Sequence, residues 1–296
     1  MRRMKVYVTG ASGFIGSHVA RALRDRGADV RDETVELGDR AGLERAVRGC
    51  DAVVHVAALY SFDAPAAELE RVNVEGTRNV VAACRASGVG RLVHTSSAGT
   101  CGPVPGRPAT EHDSPPSWEL AVPYKRTKLA AEWVVRAAAS DWLDAVVVNP
   151  TTPVGEGDAR PTPTGRMVRA VAGGRYRAFV DIGLNVVDVR DVAIGHALAL
   201  EHGRRGERYI LGGVDLTLEE LFTAIARLAG REPPRLRVAQ AAVRAGALAG
   251  LVNRNEARLA RLPAYFSSAK AERELDYRPG PVEPALARAV AEALSR

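Results

Sequence analysis

The chain has 296 residues, 46% hydrophobic and 26% charged, with 41 Lys+Arg against 35 Asp+Glu and a formal net charge of +6. That balance fits a globular protein with a substantial core and excludes a disordered tail or a disulfide-stapled miniprotein. The positive excess is scattered, with no run of like charges, which argues against a nucleic-acid-binding surface.

Cys50, Cys84 and Cys101 are odd in number and far apart, which fits reduced thiols in a cytoplasmic protein. The apolar stretch after the first residues is too short for a signal peptide. Arg244 splits the alanine-rich stretch 241–252, so no run approaches the roughly 18 apolar residues of a membrane span. Only four basic residues are lysines: Lys5, Lys125, Lys128 and Lys270.

In chain order, the patterning predicts a buried strand over 5–9 and a helix over 14–26 that ends at Gly27. Strands follow over 52–57, 91–95 and 144–149, separated by helices over 72–87 and 124–139. Strands spaced by helices predict an α/β fold, a doubly wound parallel sheet covered on both faces. Residues 150–166 hold four prolines and three glycines without periodicity, the composition of a long functional loop. Beyond it a helix is expected over 167–172, strands over 185–189 and 208–211, and a helix over 216–229.

One stretch conflicts with this plan. Residues 28–31 and 34–37 both read as strands, yet parallel neighbours need a crossover of about a dozen residues, and only Asp32 and Glu33 intervene. The expectation is that residues are missing and the backbone is broken between Val30 and Val35. A similar omission is expected around 252–264.

The strongest local signal is Thr9-Gly10-Ala11-Ser12-Gly13-Phe14-Ile15-Gly16, between a strand and a helix. Gly10 permits a tight turn, Gly13 lets a pyrophosphate approach, and Gly16 lets the helix pack on the strand, while the helix N-terminus offers free N–H groups. A second signal is Tyr124-Lys125-Arg126-Thr127-Lys128, which puts Tyr124 and Lys128 on one helical face. A tyrosine near its reference pKa of about 10 is a poor base at neutral pH. A nearby ammonium favours the phenolate, and Lys128 together with an oxidised nicotinamide is expected to lower the Tyr124 pKa toward ~7. The third is His94-Thr95-Ser96-Ser97-Ala98-Gly99-Thr100, hydroxyls at the carboxyl end of a strand, where open α/β sheets place ligands. On residues alone, His55 reads as a core histidine and Asp39 as a candidate helix N-cap.

The GxxGxxG spacing resembles the short-chain dehydrogenase/reductase superfamily, and Thr-Gly-Ala-Ser-Gly-Phe-Ile-Gly resembles its extended branch of epimerases, dehydratases and reductases. The resemblance implies a Rossmann-type sheet over 1–150, with 184–205 returning to it, and a smaller C-terminal α/β substrate part from 151–183 and 206–296. It implies NAD or NADP as cofactor, held by Gly10, Ser12, Gly13, Phe14, Ile15, Gly16, Asp39, Ala57, Ala58, Ser96, Tyr124, Lys128, Asn149, Pro150 and Thr152. Ser97, Tyr124 and Lys128 correspond to the catalytic residues, and Asn73 to an asparagine that braces the site. Arg31 would favour NADP and Asp32 NAD. A homodimer through the helices beginning near Asn73 and Tyr124 is also implied.

The family's sugar 4,6-dehydratases resemble one another in carrying Thr-Asp-Glu where this chain has Ser97-Ala98-Gly99, so dehydration is not expected. There is no HExxH or other metal-ligand spacing and no GxSxG elbow, so neither a metal nor a hydrolase is expected. The loop 149–165, Asn185-Val186-Val187-Asp188-Val189, Tyr209-Ile210-Leu211-Gly212-Gly213 and Phe266-Ser267-Ser268-Ala269-Lys270 resemble the hopanoid-associated sugar epimerase group. Ser96-Ser97-Ala98-Gly99-Thr100 is similar also to dihydroflavonol reductases. The expected activity is hydride transfer at a secondary alcohol or ketone, in a sugar or nucleotide-sugar epimerase. The alternatives are an NADPH-dependent ketone reductase and a non-catalytic dinucleotide sensor, a class that generally lacks the Tyr-x-x-x-Lys pair.

Overall fold

The computed structural model describes residues 3–250 and 253–295. Its large sheet has six parallel strands: β1 (Lys5–Thr9), β2 (Asp29–Arg31), β3 (Ala52–His55), β4 (Arg91–Thr95), β5 (Asp144–Pro150) and β9 (Arg208–Leu211), in the order β2-β1-β3-β4-β5-β9. Valine-rich strands of this kind are covered on both faces. Val6, Val8, Val54, Val93, Val146 and Val148 pack against the helices Phe14–Asp25 and Val189–His202. Tyr7, Val53, Leu92 and Val147 pack on the other side, against Arg40–Val47, Gly76–Ser87 and Pro123–Asp141.

Smaller sheets lie beyond. β6 (Thr152–Val154), β8 (Gly183–Asp188) and β10 (Val214–Thr217) pair in the order β10-β8-β6, and β7 (Ala178–Val180) pairs with β11 (Leu236–Val238). A separate apolar core joins the helices Pro163–Ala172, Leu218–Leu228 and Glu283–Leu294. The expected return of 184–205 to the large sheet is therefore corrected in part. The helix Val189–His202 packs on it, β8 is held in the small sheet by Val186–Val214 and Val186–Thr152 pairing, and β9, expected in the substrate part 206–296, is the sixth strand of the large sheet. Among the described residues no helix is long and apolar enough to cross a membrane.

The predicted break between Val30 and Val35 is absent, and so is the strand over 34–37. The backbone runs on from β2, which forms the sheet edge. Side chains take the backbone acceptors that a further ladder would have used. The Tyr7 hydroxyl donates to the Glu33 carbonyl at 3.1 Å, and Asn79 Nδ2 donates to the Leu37 carbonyl at 2.8 Å. Leu37 is buried in the core beside the helix Gly76–Ser87, so the segment packs instead of pairing. The second expected omission is absent too where it can be followed. Residues 253–264 form the helix Arg254–Leu259 and a bridge to β8, with the Ala264 amide donating to Gly183 O at 2.8 Å, while Val252 lies outside the described residues.

Candidate active site

The glycine-rich turn sits at the carboxyl end of β1. Gly10 has φ +69°, and a β-carbon there would lie 2.8 Å from Ala57 Cα, so the turn is pressed against the chain leaving β3. The helix Phe14–Asp25 begins without a side-chain cap, and Ser12 and Gly13 are exposed. The uncapped first-turn amides, with the helix dipole behind them, suit a diphosphate. Ile15 is half-buried and Gly16 buried under the turn, and Ala58 is exposed.

Thr9 ties this turn to β3. Its Oγ1 accepts the Val56 and Ala57 amides, both at 3.1 Å, and so gives its own proton to His55 Nδ1 at 2.8 Å. His55 Nε2 then donates to Thr77 Oγ1 at 3.0 Å, and the Thr77 hydroxyl donates to Asn73 O at 2.7 Å. Burial holds the His55 pKa down to about 3, so the ring is a neutral core strut. Asp39 is the N-cap of Arg40–Val47, accepting the Gly42 amide at 2.9 Å. At the end of β2 Arg31 donates to Ala46 O and Arg48 O, and Asp32 is paired with Arg24 at 2.6 Å.

Tyr124, Ser97 and Lys128 meet at the carboxyl end of β4. Tyr124 stands in the first turn of Pro123–Asp141 and is buried, with the Ser97 hydroxyl as its hydrogen-bonding neighbour. Lys128, one turn later and also buried, donates from Nζ to Thr95 O at 2.7 Å. Burial pushes its pKa down to about 8, against the pull of Glu132. Lys128 alone does not give the lowered Tyr124 phenol expected of it together with an oxidised nicotinamide. Burial, with Tyr60 nearby, pushes the phenol above its ordinary value, and only Ser97 pulls it down.

Sequence reasoning missed Glu132, which is fully buried. Its Oε2 accepts from Ser96 Oγ at 2.7 Å, Thr100 Oγ1 at 2.8 Å and Asn149 Nδ2 at 3.1 Å, and Oε1 lies 2.9 Å from Arg208 Nε. Its spacing, four after Lys128 and eight after Tyr124, was the available signal, because all three share one helical face. Ser96 and Asn149, expected at the cofactor, have hydroxyl and amide turned inward to this carboxylate. Asn149 Nδ2 also donates to Ser97 O at 3.1 Å, so it shapes the turn bearing Ser97. Pro150 ends β5, and Thr152 begins β6.

Apolar and aromatic side chains crowd Tyr124, and beyond Tyr60 the lining turns polar, with Thr164 at the Tyr60 hydroxyl and Arg166, Asp158 and Glu256 nearby. Leu59, Tyr60, Phe62, Ala64, Leu69, Val122 and Leu259 cluster with Tyr124. The Tyr60 ring lies 4.6 Å from the Tyr124 ring, centroid to centroid, and the Phe62 ring 5.9 Å away, edge-on. Asn255 Nδ2 donates to Phe62 O at 2.8 Å and Asn253 Nδ2 to Asp63 Oδ1 at 2.5 Å, so the helix Arg254–Leu259 latches the aromatic loop.

A protein-family model for the NAD dependent epimerase/dehydratase family matches residues 6–212. The chain is 34% identical to a putative dihydroflavonol 4-reductase of Synechocystis sp., over 96% of this chain and 93% of that protein. It superposes on a nucleoside-diphosphate-sugar epimerase from Pseudomonas aeruginosa with a TM-score of 0.85 at 30% identity, covering 98% and 97% of the two chains. A Thermus thermophilus UDP-glucose 4-epimerase, solved in complex with NAD, matches with a TM-score of 0.81 at 25% identity, over 98% and 99%. A glycine turn with uncapped amides, a phenol beside a serine hydroxyl and this likeness along almost the whole chain agree: the chain belongs to the NAD-dependent epimerase/dehydratase family of extended short-chain dehydrogenases/reductases, and it is an NAD(P)-dependent enzyme.

Proposed function

We propose that the protein reduces a ketone next to an apolar group, with Ser97, Tyr124 and Lys128 as its working residues. The apolar, aromatic wall around Tyr124 carries this reading. Leu59, Phe62, Leu69, Val122 and Leu259 offer a sugar's hydroxyls no partners, and buried polar groups without partners are costly. An epimerase must also let its ketone turn over between two hydride transfers, and an aromatic loop latched by Asn253 and Asn255 opposes that rotation.

A reduced dinucleotide held at the glycine turn would supply the hydride to the carbonyl carbon. The Tyr124 phenol gives its proton to the carbonyl oxygen, and a phenol held above its ordinary pKa is protonated at neutral pH, as a donor must be. The Ser97 hydroxyl donates to the same oxygen. Lys128 donates to Thr95 O, and the resemblance gives its ammonium the nicotinamide ribose to hold. Gly10, Ser12, Gly13, Phe14 and Ile15 hold the diphosphate. Purified protein is expected to consume added NADPH with aryl or alkyl ketones and to release the oxidised dinucleotide each turnover.

A second reading, sugar epimerisation, is supported by the likeness to the Pseudomonas epimerase. It predicts instead that the dinucleotide copurifies and that no net redox accompanies turnover. For the assembly we propose a homodimer through the outer faces of Gly76–Ser87 and Pro123–Asp141. Trp133 on the latter helix is 59% exposed, with the Arg136 guanidinium 5.0 Å from its ring. Light scattering should give a dimer mass for the wild type and a monomer mass for Trp133→Glu.

A further inference from the structure

Of the four lysines, Lys125 has the placement least expected of a surface charge. It follows Tyr124 directly, yet its side chain folds back over the turn Ala98–Thr100. A β-carbon at position 99 would run into the Lys125 amine and would lie 2.7 Å from both Cδ and Cε, so the lysine occupies room that only a glycine leaves. The Gly99 amide donates to Ser97 Oγ at 3.2 Å, and Ser97 is the hydrogen-bonding neighbour of the Tyr124 phenol. The ammonium therefore rests on the same turn that holds the reacting hydroxyls.

Its partner is Glu119, with Oε2 3.1 Å from Nζ, and the two side chains are 3% and 13% exposed respectively. The Glu119 side chain is sealed, and the Lys125 side chain is the more open of the two. Burial pushes the Glu119 pKa up while Lys125 pulls it down. Among the described residues Glu119 is the one ion-pair partner of Lys125, and an ammonium carries three N–H donors.

We propose that Lys125 is a substrate-recognising residue, whose ammonium donates to a second carbonyl oxygen of the ketone, and that the preferred substrate is a 1,3-dicarbonyl compound. This rests on the reductase reading above. Because the Lys125–Glu119 pair is neutral as a unit, it suits a neutral acceptor, and a substrate carboxylate would compete with Glu119 for the same cation. A dicarbonyl spans the two donors, its reacting oxygen on Tyr124 and Ser97 and its second oxygen on Lys125. Withdrawal of electron density through that second contact also makes the reacting carbonyl a better hydride acceptor.

The test compares kcat/KM for a 3-oxo ester with that for a monoketone of equal chain length. Wild type should favour the 3-oxo ester by about 10-fold or more, the scale of one hydrogen bond to a charged group. In Lys125→Met the ratio should fall close to one. Gly99→Ala, which displaces the flexible amine, should lower the ratio in the same direction. If Lys125 only supports the fold, both substrates suffer together and the ratio stands, which overturns the proposal, as does a wild-type ratio near one. Thermal stabilisation of NADPH-loaded protein by the two compounds separates the two readings. Lys125-dependent stabilisation by the dicarbonyl without NADPH consumption would sink the reductase reading and keep the lysine site. Equal stabilisation by both compounds would sink the lysine site.

Discussion

The side-chain amide of Asn73 grips the backbone of Leu59 from both sides: Oδ1 accepts the Leu59 amide proton at 2.7 Å, and Nδ2 donates to the Leu59 carbonyl at 3.1 Å. The same Nδ2 lies 3.2 Å from Thr127 Oγ1, whose hydroxyl donates to Tyr124 O at 3.0 Å. One amide thus sets the distance between the aromatic loop and the helix bearing the phenol. Asn73→Ala leaves the Leu59 backbone unsatisfied, which should cost about 1–3 kcal/mol. The denaturation midpoint should fall, and kcat/KM should fall about 10-fold, with dinucleotide affinity falling less.

Tyr124→Phe removes the proton donor and keeps the ring that packs on Tyr60 and Phe62. Turnover should drop by about 10²–10⁴-fold, with NADPH binding, followed by fluorescence, nearly intact. Near-normal turnover would take Tyr124 out of the mechanism.

Much of this arrangement was legible in residue patterns. β1, β4 and β9 fall where the apolar runs end, because a strand buried on both faces leaves no polar alternation to blur its limits. The missing edge strand was not legible. Residues 34–37 have strand-like composition, and what keeps them out of the sheet is a pair of distant side chains, Tyr7 and Asn79, taking the carbonyls of Glu33 and Leu37. The long loop after Pro150 likewise hides β6, which exists only because β8 comes alongside it. At the site, spacing found Tyr124 and Lys128, since i and i+4 share a helical face. It did not say that Ser96 and Asn149 would turn inward, because that depends on Glu132 arriving from another element. Long-range hydrogen bonds leave no period in a sequence.

Lys128 gives a pH dependence whose sign follows from its burial. Its folded-state pKa is about 8, below the ordinary value of 10.5, so above pH 8 the unfolded chain holds more protons than the folded one. Stability therefore rises with pH from about 8, and the charged lysine is a cost below it. Tyrosines with raised pKa values act in the opposite direction above about pH 10, and the Cys84 and Cys101 thiols, pushed up to about 12 by burial, already do so above about pH 9, which leaves roughly pH 8–9 as the window. Over that one unit the lysine contributes roughly 1 kcal/mol. Urea midpoints measured across the window should climb more steeply for the wild type than for Lys128→Met. Parallel slopes would mean that the lysine is not desolvated.

Glu132 and Arg208 make the last prediction, because their pairing lies beneath the site and not in it. Arg208 also donates to Thr100 O at 3.0 Å and Thr100 Oγ1 at 3.2 Å, so the two charges together support the turn carrying Ser97. Removing one partner strands the other in a buried place, at a cost of about 3–5 kcal/mol. Glu132→Leu and Arg208→Met should each be strongly destabilised in urea. Combined, they should recover much of the loss, since two apolar side chains can replace a buried ion pair without leaving an unpaired charge. Activity should separate from stability in that double variant. Ser96, Thr100 and Asn149 would lose their shared acceptor, and kcat should stay low even where the fold is restored. Full recovery of kcat would show that the turn holds Ser97 in place without the carboxylate beneath it.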